Sequence, residues 1–161
     1  MKRAALLLPL ALLGGGCGLR PLYGGGESGA VRQLLGGVEV APIQGQQGWL
    51  VGNALRERLR AGGTPRYRLV VTLDDSIIGL GVRRDDSITR ERRSLRARYQ
   101  LVDAASNAVL LDATAGSDAG VDVVSSEYAT IAAEQTALER LSTIVAEQIV
   151  TRIALYAQSR P

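Results

Sequence analysis

Ser94-Leu95-Arg96-Ala97-Arg98-Tyr99-Gln100-Leu101-Val102 decides the architecture. Leu95, Ala97, Tyr99 and Leu101 fall on one parity, and Ser94, Arg96, Arg98 and Gln100 on the other. Side chains of an extended chain alternate between faces with a period of two, so this stretch is a strand with one core face and one charged face. It extends back to Ile88. Asp103-Ala104-Ala105-Ser106-Asn107 is rich in turn formers, and Val109 to Thr114 makes the returning strand. Gly116 to Gly120 reads as a loop. Upstream, Tyr67, Leu69, Val71 and Leu73 repeat the alternation. Asp74-Asp75 suggests a bend or bulge, Ile77 to Val82 continues extended, and Arg83-Arg84-Asp85-Asp86 is a turn candidate.

Helices flank these strands. Val38 to Ile43 alternates until it meets Pro42, which suits a short first strand. After a loop over 44–48, Trp49 to Ala61 carries Val51, Leu55 and Leu59 on one helical stripe, stopped by Gly62-Gly63. Ser125 or Ser126 can cap a second helix, because Glu127 to Tyr156 contains neither Gly nor Pro. Ile131, Leu138, Leu141, Val145, Ile149 and Ile153 follow helical spacing there. Trp49 and Tyr128 read as packing residues at the two helix starts. The expected fold is α+β: a two-layer sandwich, with a four-stranded mixed sheet and two helices on one face, in the order β-α-β-β-β-α. The helix between the first two strands implies at least one parallel pairing.

The chain has 161 residues, enough for one domain. It has no His, one Cys and no Phe. Absence of His excludes imidazole acid–base work, His-based triads and most zinc sites. A lone Cys excludes an internal disulfide and points elsewhere. Met1-Lys2-Arg3 is a basic start, Ala4 to Leu13 an apolar run, and Gly14-Gly15-Gly16 a small-residue stretch before Cys17. That is the layout of a secretory signal peptide, and its apolar run is too short to span a bilayer. The junction resembles a lipobox, although Gly14 stands where Leu is usual. The reading is a cleaved signal peptide over 1–16, a lipidated Cys17 with a flexible tether over 17–36, and a single α+β domain over 37–161. Cys17 would carry a diacylglycerol and an amide-linked acyl chain, enough for stable anchoring. Gly18, not Asp, follows the Cys, which favours the outer membrane by resemblance. Loss of Lys2 and Arg3 leaves 17 basic against 16 acidic residues. No cofactor, metal site or catalytic set is expected; Asp74-Asp75 and Asp85-Asp86 lack a partner base.

Seven arginines, Arg83, Arg84, Arg90, Arg92, Arg93, Arg96 and Arg98, lie within sixteen residues. Arg90, Arg92, Arg96 and Arg98 share the parity of the non-core face. Guanidinium groups grip phosphate bidentately, so Arg90, Arg92, Arg93, Arg96 and Arg98 are candidates for contact with a phosphorylated lipid or a partner protein. A solvated strand face that discourages edge pairing is the plainer reading. Nucleic acid is not expected, since no aromatic interleaves the cluster on that face.

Cys17-Gly18-Leu19-Arg20-Pro21-Leu22-Tyr23-Gly24 resembles the mature start of the LptE family of lipopolysaccharide-assembly lipoproteins, in its divergent branch, with Leu19 in place of the usual Phe. Ser126-Glu127-Tyr128-Ala129 resembles the Ser-x-Tyr-Ala start of that branch's C-terminal helix. The resemblance implies a non-enzymatic, lipid-anchored protein on the periplasmic face of the outer membrane. It also implies assembly and plugging of a large β-barrel, LptD, and binding of lipopolysaccharide during export. A structural accessory of another envelope complex is the alternative.

Overall fold

A computed structural model describes residues 28–59, 62, 64–82 and 88–159. The signal peptide, Cys17, the motif over 17–24 and the turn candidate over 83–86 lie outside them. Element order is α1 (Ser28–Gly36), β1 (Val38–Val40), α2 (Gly45–Leu59), β2 (Tyr67–Val82), β3 (Ile88–Asp103), β4 (Val109–Asp122) and α3 (Glu127–Gln158). The four strands form one sheet in the order β1-β2-β3-β4. β1 runs parallel to β2, and the β2–β3 and β3–β4 pairs are antiparallel. The α+β class, the mixed four-stranded sheet and the expected element order are thus present.

The core forms where the strand and helix periods meet. Leu69 and Val71 of β2 and Leu95, Ala97, Tyr99 and Leu101 of β3 are buried on one sheet face. Leu138, Leu141, Val145, Ile149 and Ile153 of α3 join them in one cluster, with Val51, Leu55 and Leu59 of α2. α3 has 32 residues, so it is about 48 Å long and runs much of the length of the 16-residue strands. Ser126 caps it, its side chain accepting from the Ala129 N–H.

The structure departs from the sequence expectation at several points. A third helix, α1, precedes β1 and occupies 28–36, nearly half of the stretch read as tether. Val31, Leu34 and Leu35 are buried in the common core, so tertiary packing overrides its flanking glycines. α2 begins at Gly45 rather than Trp49. A Cβ on Gly48 would stand 2.6 Å from the Ile43 carbonyl oxygen, so glycine there serves close packing and not a loop. β2 crosses Asp74-Asp75 without a bulge, in unbroken register with β3. β4 continues to Asp122, through the stretch read as a loop. Tyr128 and Trp49 are 90% and 65% exposed, and Ile131 is 55% exposed. None of the three is a packing residue: Tyr128 and Ile131 lie where α3 starts beyond the main core, and Trp49 lies off the buried stripe of Gly48, Val51, Gly52 and Leu55 on α2.

Two substitutions gauge this core. The Ser142 hydroxyl is buried on α3 without a hydrogen-bond partner among the described residues. Ser142→Ala should raise stability by about 1 kcal/mol in urea unfolding, because it removes an unsatisfied polar group. Leu95→Ala, at a fully buried position on the middle strand, should cost about 3 kcal/mol in the same measurement.

Candidate functional site

Among the described residues, helices cover one face of the sheet and leave the other open. The even-numbered residues of β2, β3 and β4 point to the open face. On β3 these are Arg90, Arg92, Ser94, Arg96, Arg98 and Gln100, as their shared parity required. β4 answers them with carboxylates. Arg90 pairs with Asp122 at 3.3 Å, Arg96 with Asp118 at 2.9 Å, and Arg98 with Asp112 at 3.2 Å. Arg96 also donates to the Ser117 carbonyl at 2.9 Å, and Gln100 to Asp112 at 2.8 Å. Arg92 makes no ion pair with another described residue.

Register explains the composition of β4. Arg96 lies opposite Gly116 and Arg92 opposite Gly120. A Cβ on Gly116 would meet the Arg96 Cδ at 2.5 Å. Glycine there lets the Arg96 stem lie flat across β4 and reach Asp118 two residues on. The Gly-Ser-Asp composition that imitates a loop belongs instead to a strand shaped to receive arginine stems.

Arg93 does not belong to this face. Its odd parity turns it under the helix layer, where it forms a two-point pair with Asp75 at 2.6 and 2.9 Å and donates to the Glu134 carbonyl oxygen at 2.9 Å. Both charged side chains are nearly buried, at 11% and 13% exposure. The Asp75 hydrogen bond holds the guanidinium firmly protonated, against the opposing effect of burial. Five arginines grouped by sequence therefore divide into four on the open face and one that fastens β2, β3 and α3 together. Asp75, read as a turn residue, is its partner.

Protonation follows the same division. Hydrogen bonds from Arg98 and Gln100 hold the Asp112 carboxyl below the usual carboxylate range. Those from Arg96 and Ser94 do the same for Asp118. Under the helix, Glu91 behaves oppositely: loss of solvation and the neighbouring Glu134 carboxyl push it up, and its Oε2 is buried without a partner among the described residues.

A second concavity of about 1130 Å³ lies between α1, the end of α2 and α3. Leu35, Leu59 and Val150 floor it, and Arg32, Arg58 and Arg66 stand at its rim with Glu57 and Glu147. It is an open groove with both signs of charge, unlike the enclosed apolar cavity that a lipid carrier needs. Among the described residues no group of three or more His, Cys, Asp or Glu could hold a metal ion. No described helix is long and apolar enough to cross a membrane.

With this geometry in view, the relatives can be placed. The family model for LptE, lipopolysaccharide-assembly, matches residues 35–153, which span β1 to the last turns of α3. The chain belongs to the LptE family. No curated protein sequence matches it. Solved structures share the fold. A candidate lipoprotein from Caulobacter crescentus CB15 is 22% identical with a TM-score of 0.69, over 84% of this chain and 100% of that one. Rare lipoprotein B from Shewanella oneidensis is 9% identical with a TM-score of 0.57, over 73% and 95%. Lipoprotein B from Nitrosomonas europaea is 14% identical with a TM-score of 0.58, over 75% and 85%. Membership places the chain among lipopolysaccharide-assembly lipoproteins.

The carboxylates make acid stability a readout of the open face. Depressed folded-state values mean that Asp112 and Asp118 contribute stability above their unfolded range and lose it as pH falls through the folded values. Doubling Asp112→Asn with Asp118→Asn should flatten the fall of Tm below about pH 5, where an unperturbed Asp begins to protonate. Glu91 has the reverse sign: its contribution is present at low pH and lost as pH rises through its raised value. Glu91→Gln should therefore raise Tm at pH 7 and leave it nearly unchanged at pH 4, by differential scanning calorimetry.

Proposed function

We propose that this protein is an outer-membrane lipoprotein subunit of the lipopolysaccharide translocon. In this reading the segment 1–16 is removed, acyl chains on Cys17 hold the domain at the periplasmic face, and the residues from 18 to the start of α1 form the tether. The domain assembles with and plugs the partner β-barrel LptD and binds lipopolysaccharide in transit. The observation that carries the reading is the family match over the whole sheet, α2 and most of α3. The role is stoichiometric: a binding and shaping subunit with no turnover.

The open face supports the ligand half of the proposal. Lipopolysaccharide presents phosphate groups on its lipid A, and a guanidinium group offers five N–H donors in a planar fork. On β3 those forks are already laid in a row by the strand's pleat. Arg92 makes no direct ion pair among the described residues and only adds to the positive field at Asp118, so it is the first group a phosphate would meet. Arg96 is oriented by Asp118 and Ser117 and keeps part of its fork uncommitted. Partial pairing also limits non-specific attraction, since most of the positive charge is balanced within the sheet.

A mild-detergent pull-down of the tagged, lipidated protein from its own envelope tests both halves. The expected result is recovery of a large outer-membrane barrel with bound lipopolysaccharide. Arg92→Glu with Arg96→Glu should cut the co-purified lipopolysaccharide about tenfold, the loss of roughly 1.4 kcal/mol or more of charge-assisted binding. An unchanged lipid yield would discard the arginine face as the ligand site while keeping the barrel partner. Recovery of a different complex would favour the alternative, a structural accessory of that complex.

A further inference from the structure

The two outer edges of the sheet are not alike. β1 pairs only with Tyr67, Arg68 and Leu69 before Pro42 turns the chain away. β2 runs on to Val82. The Leu69 carbonyl accepts from the Ala41 N–H, so odd-numbered residues of β2 point their backbone groups outward and even-numbered ones bond β3. Among the described residues nothing pairs with the outward N–H and C=O groups of Val71, Leu73, Asp75, Ile77 and Gly79. That is a bare edge about nine residues and some 30 Å long. Thr72, Asp74 and Ser76 make the open side polar at first, and toward the tip the strand turns apolar on both faces: Ile77 on the helix side is 41% exposed, and Ile78 and Leu80 on the open side are 48% and 37% exposed.

β4 shows what a protected edge looks like in this molecule. Its outward Gly116 N–H donates to the Gln148 side chain of α3 at 3.0 Å. Asp112, Asp118 and Asp122 line the strand, and charges on an edge deter addition. β2 carries Asp74 on its open face, while the charge of Asp75 is turned inward to Arg93.

We infer that the edge of β2 from Val71 to Gly79 is a strand-addition site that takes an extended, largely apolar segment of a partner protein. Alternating outward donors and acceptors can be satisfied together only by another extended backbone. The added strand would bring apolar side chains beside Ile77, Ile78 and Leu80 and a basic or neutral one beside Asp74. Two copies of this chain fit the edge poorly. An antiparallel pair centred on Gly79 sets Ile78 against Leu80 but leaves Val71 to Asp75 bare. One centred on Ile77 sets Asp74 against Leu80, and one centred on Asp75 crowds two Arg93–Asp75 pairs side by side and sets Thr72 against Ile78. That the segment belongs to the barrel rests on the function proposed above; the edge itself does not.

The test uses the full lipidated chain in its own envelope, with a benzophenone amino acid at Thr72, at Ile78, or at Thr114 on the opposite edge. Expected are cross-links from Thr72 and Ile78 to one segment of the barrel, mapped by mass spectrometry, and little from Thr114. Ile77→Pro should lower the Thr72 cross-link roughly tenfold while the thermal melt stays two-state, because that N–H points away from β3. If the Pro variant does not fold, Ile77→Lys with Ile78→Lys, which keeps every N–H, should give the same loss. Adducts to a second copy, adducts to residues 18–27 of the same chain, or cross-links indifferent to these substitutions would each overturn the inference. A recovered barrel without β2 cross-links would also overturn it and leave the translocon reading standing. A substitution-sensitive adduct to an extended segment of some other protein would keep the edge site and sink the translocon reading.

Discussion

Leu95, Ala97, Tyr99 and Leu101 of the middle strand sit in one buried cluster with Leu138, Leu141, Val145 and Ile149 of α3. The remaining layout depends on this contact. It commits the odd parity of β3 to the helices, and the pleat then commits the even parity to the opposite side. The chain has no second helical layer to cover that side among its described elements, so the side must be polar. Arg92, Arg96 and Arg98 are there because the odd face takes a long cation only where a buried carboxylate pairs it, as Asp75 does Arg93. The Arg96 stem lies across β4 at Gly116 rather than standing out, which costs less side-chain freedom because Asp118 fixes its end.

What could be read in the sequence, and what could not, divides along the same physical line. Period-two alternation over 94–102 and helical spacing over 138–153 each involve many residues with one periodicity, so both elements and their core faces were legible. The placement of Arg90, Arg92, Arg96 and Arg98 on one face followed from parity alone. Their pairing with Asp112, Asp118 and Asp122 did not, because pairing depends on the β3–β4 register, and the bulge near Val102 shifts that register by one residue. Gly116 and Gly120 were misleading for a related reason. Glycine signals a break when judged by propensity, but Gly116 marks where the Arg96 side chain crosses. α1 was missed because a nine-residue helix gains its stability from docking Val31, Leu34 and Leu35, not from its own sequence. Arg93 was grouped with its neighbours by proximity, yet a one-residue step in a strand reverses direction.

The two charge systems on β3 differ in kind. On the open face the pairs are solvated; Arg98 and Asp112 retain 70% and 38% side-chain exposure, so they set geometry more than stability. Under the helix, Arg93 and Asp75 are nearly dry, and removing either would leave the other as an uncompensated charge. That inner pair joins β2, β3 and α3 at the point where the apolar core ends. Beyond it, toward the hairpin tip, Ile77 and Ile131 are left without the dense packing found around Leu95. The inner ion pair thus marks a boundary between a conventionally packed half and a half held chiefly by strand pairing.

This boundary accounts for the position of the bare edge. Close to the core, β1 and α2 close off the start of β2, since Val38 and Leu55 have apolar partners to reach. Past Leu69, Pro42 has already turned β1 away and the chain goes over to α2 at Gly45. β2 and β3 nevertheless continue together to Val82 and Ile88, because each supplies the other's inner hydrogen bonds. A two-stranded extension of this kind is marginal in water by itself. Here β4 pairs along β3 up to Arg90 and fastens it with Asp118 and Asp122, so the extension is supported on one side only. An added strand on β2 would make that support symmetrical and would cover Ile77, Ile78 and Leu80 in the same step. The arginine face would be kept flat beside it.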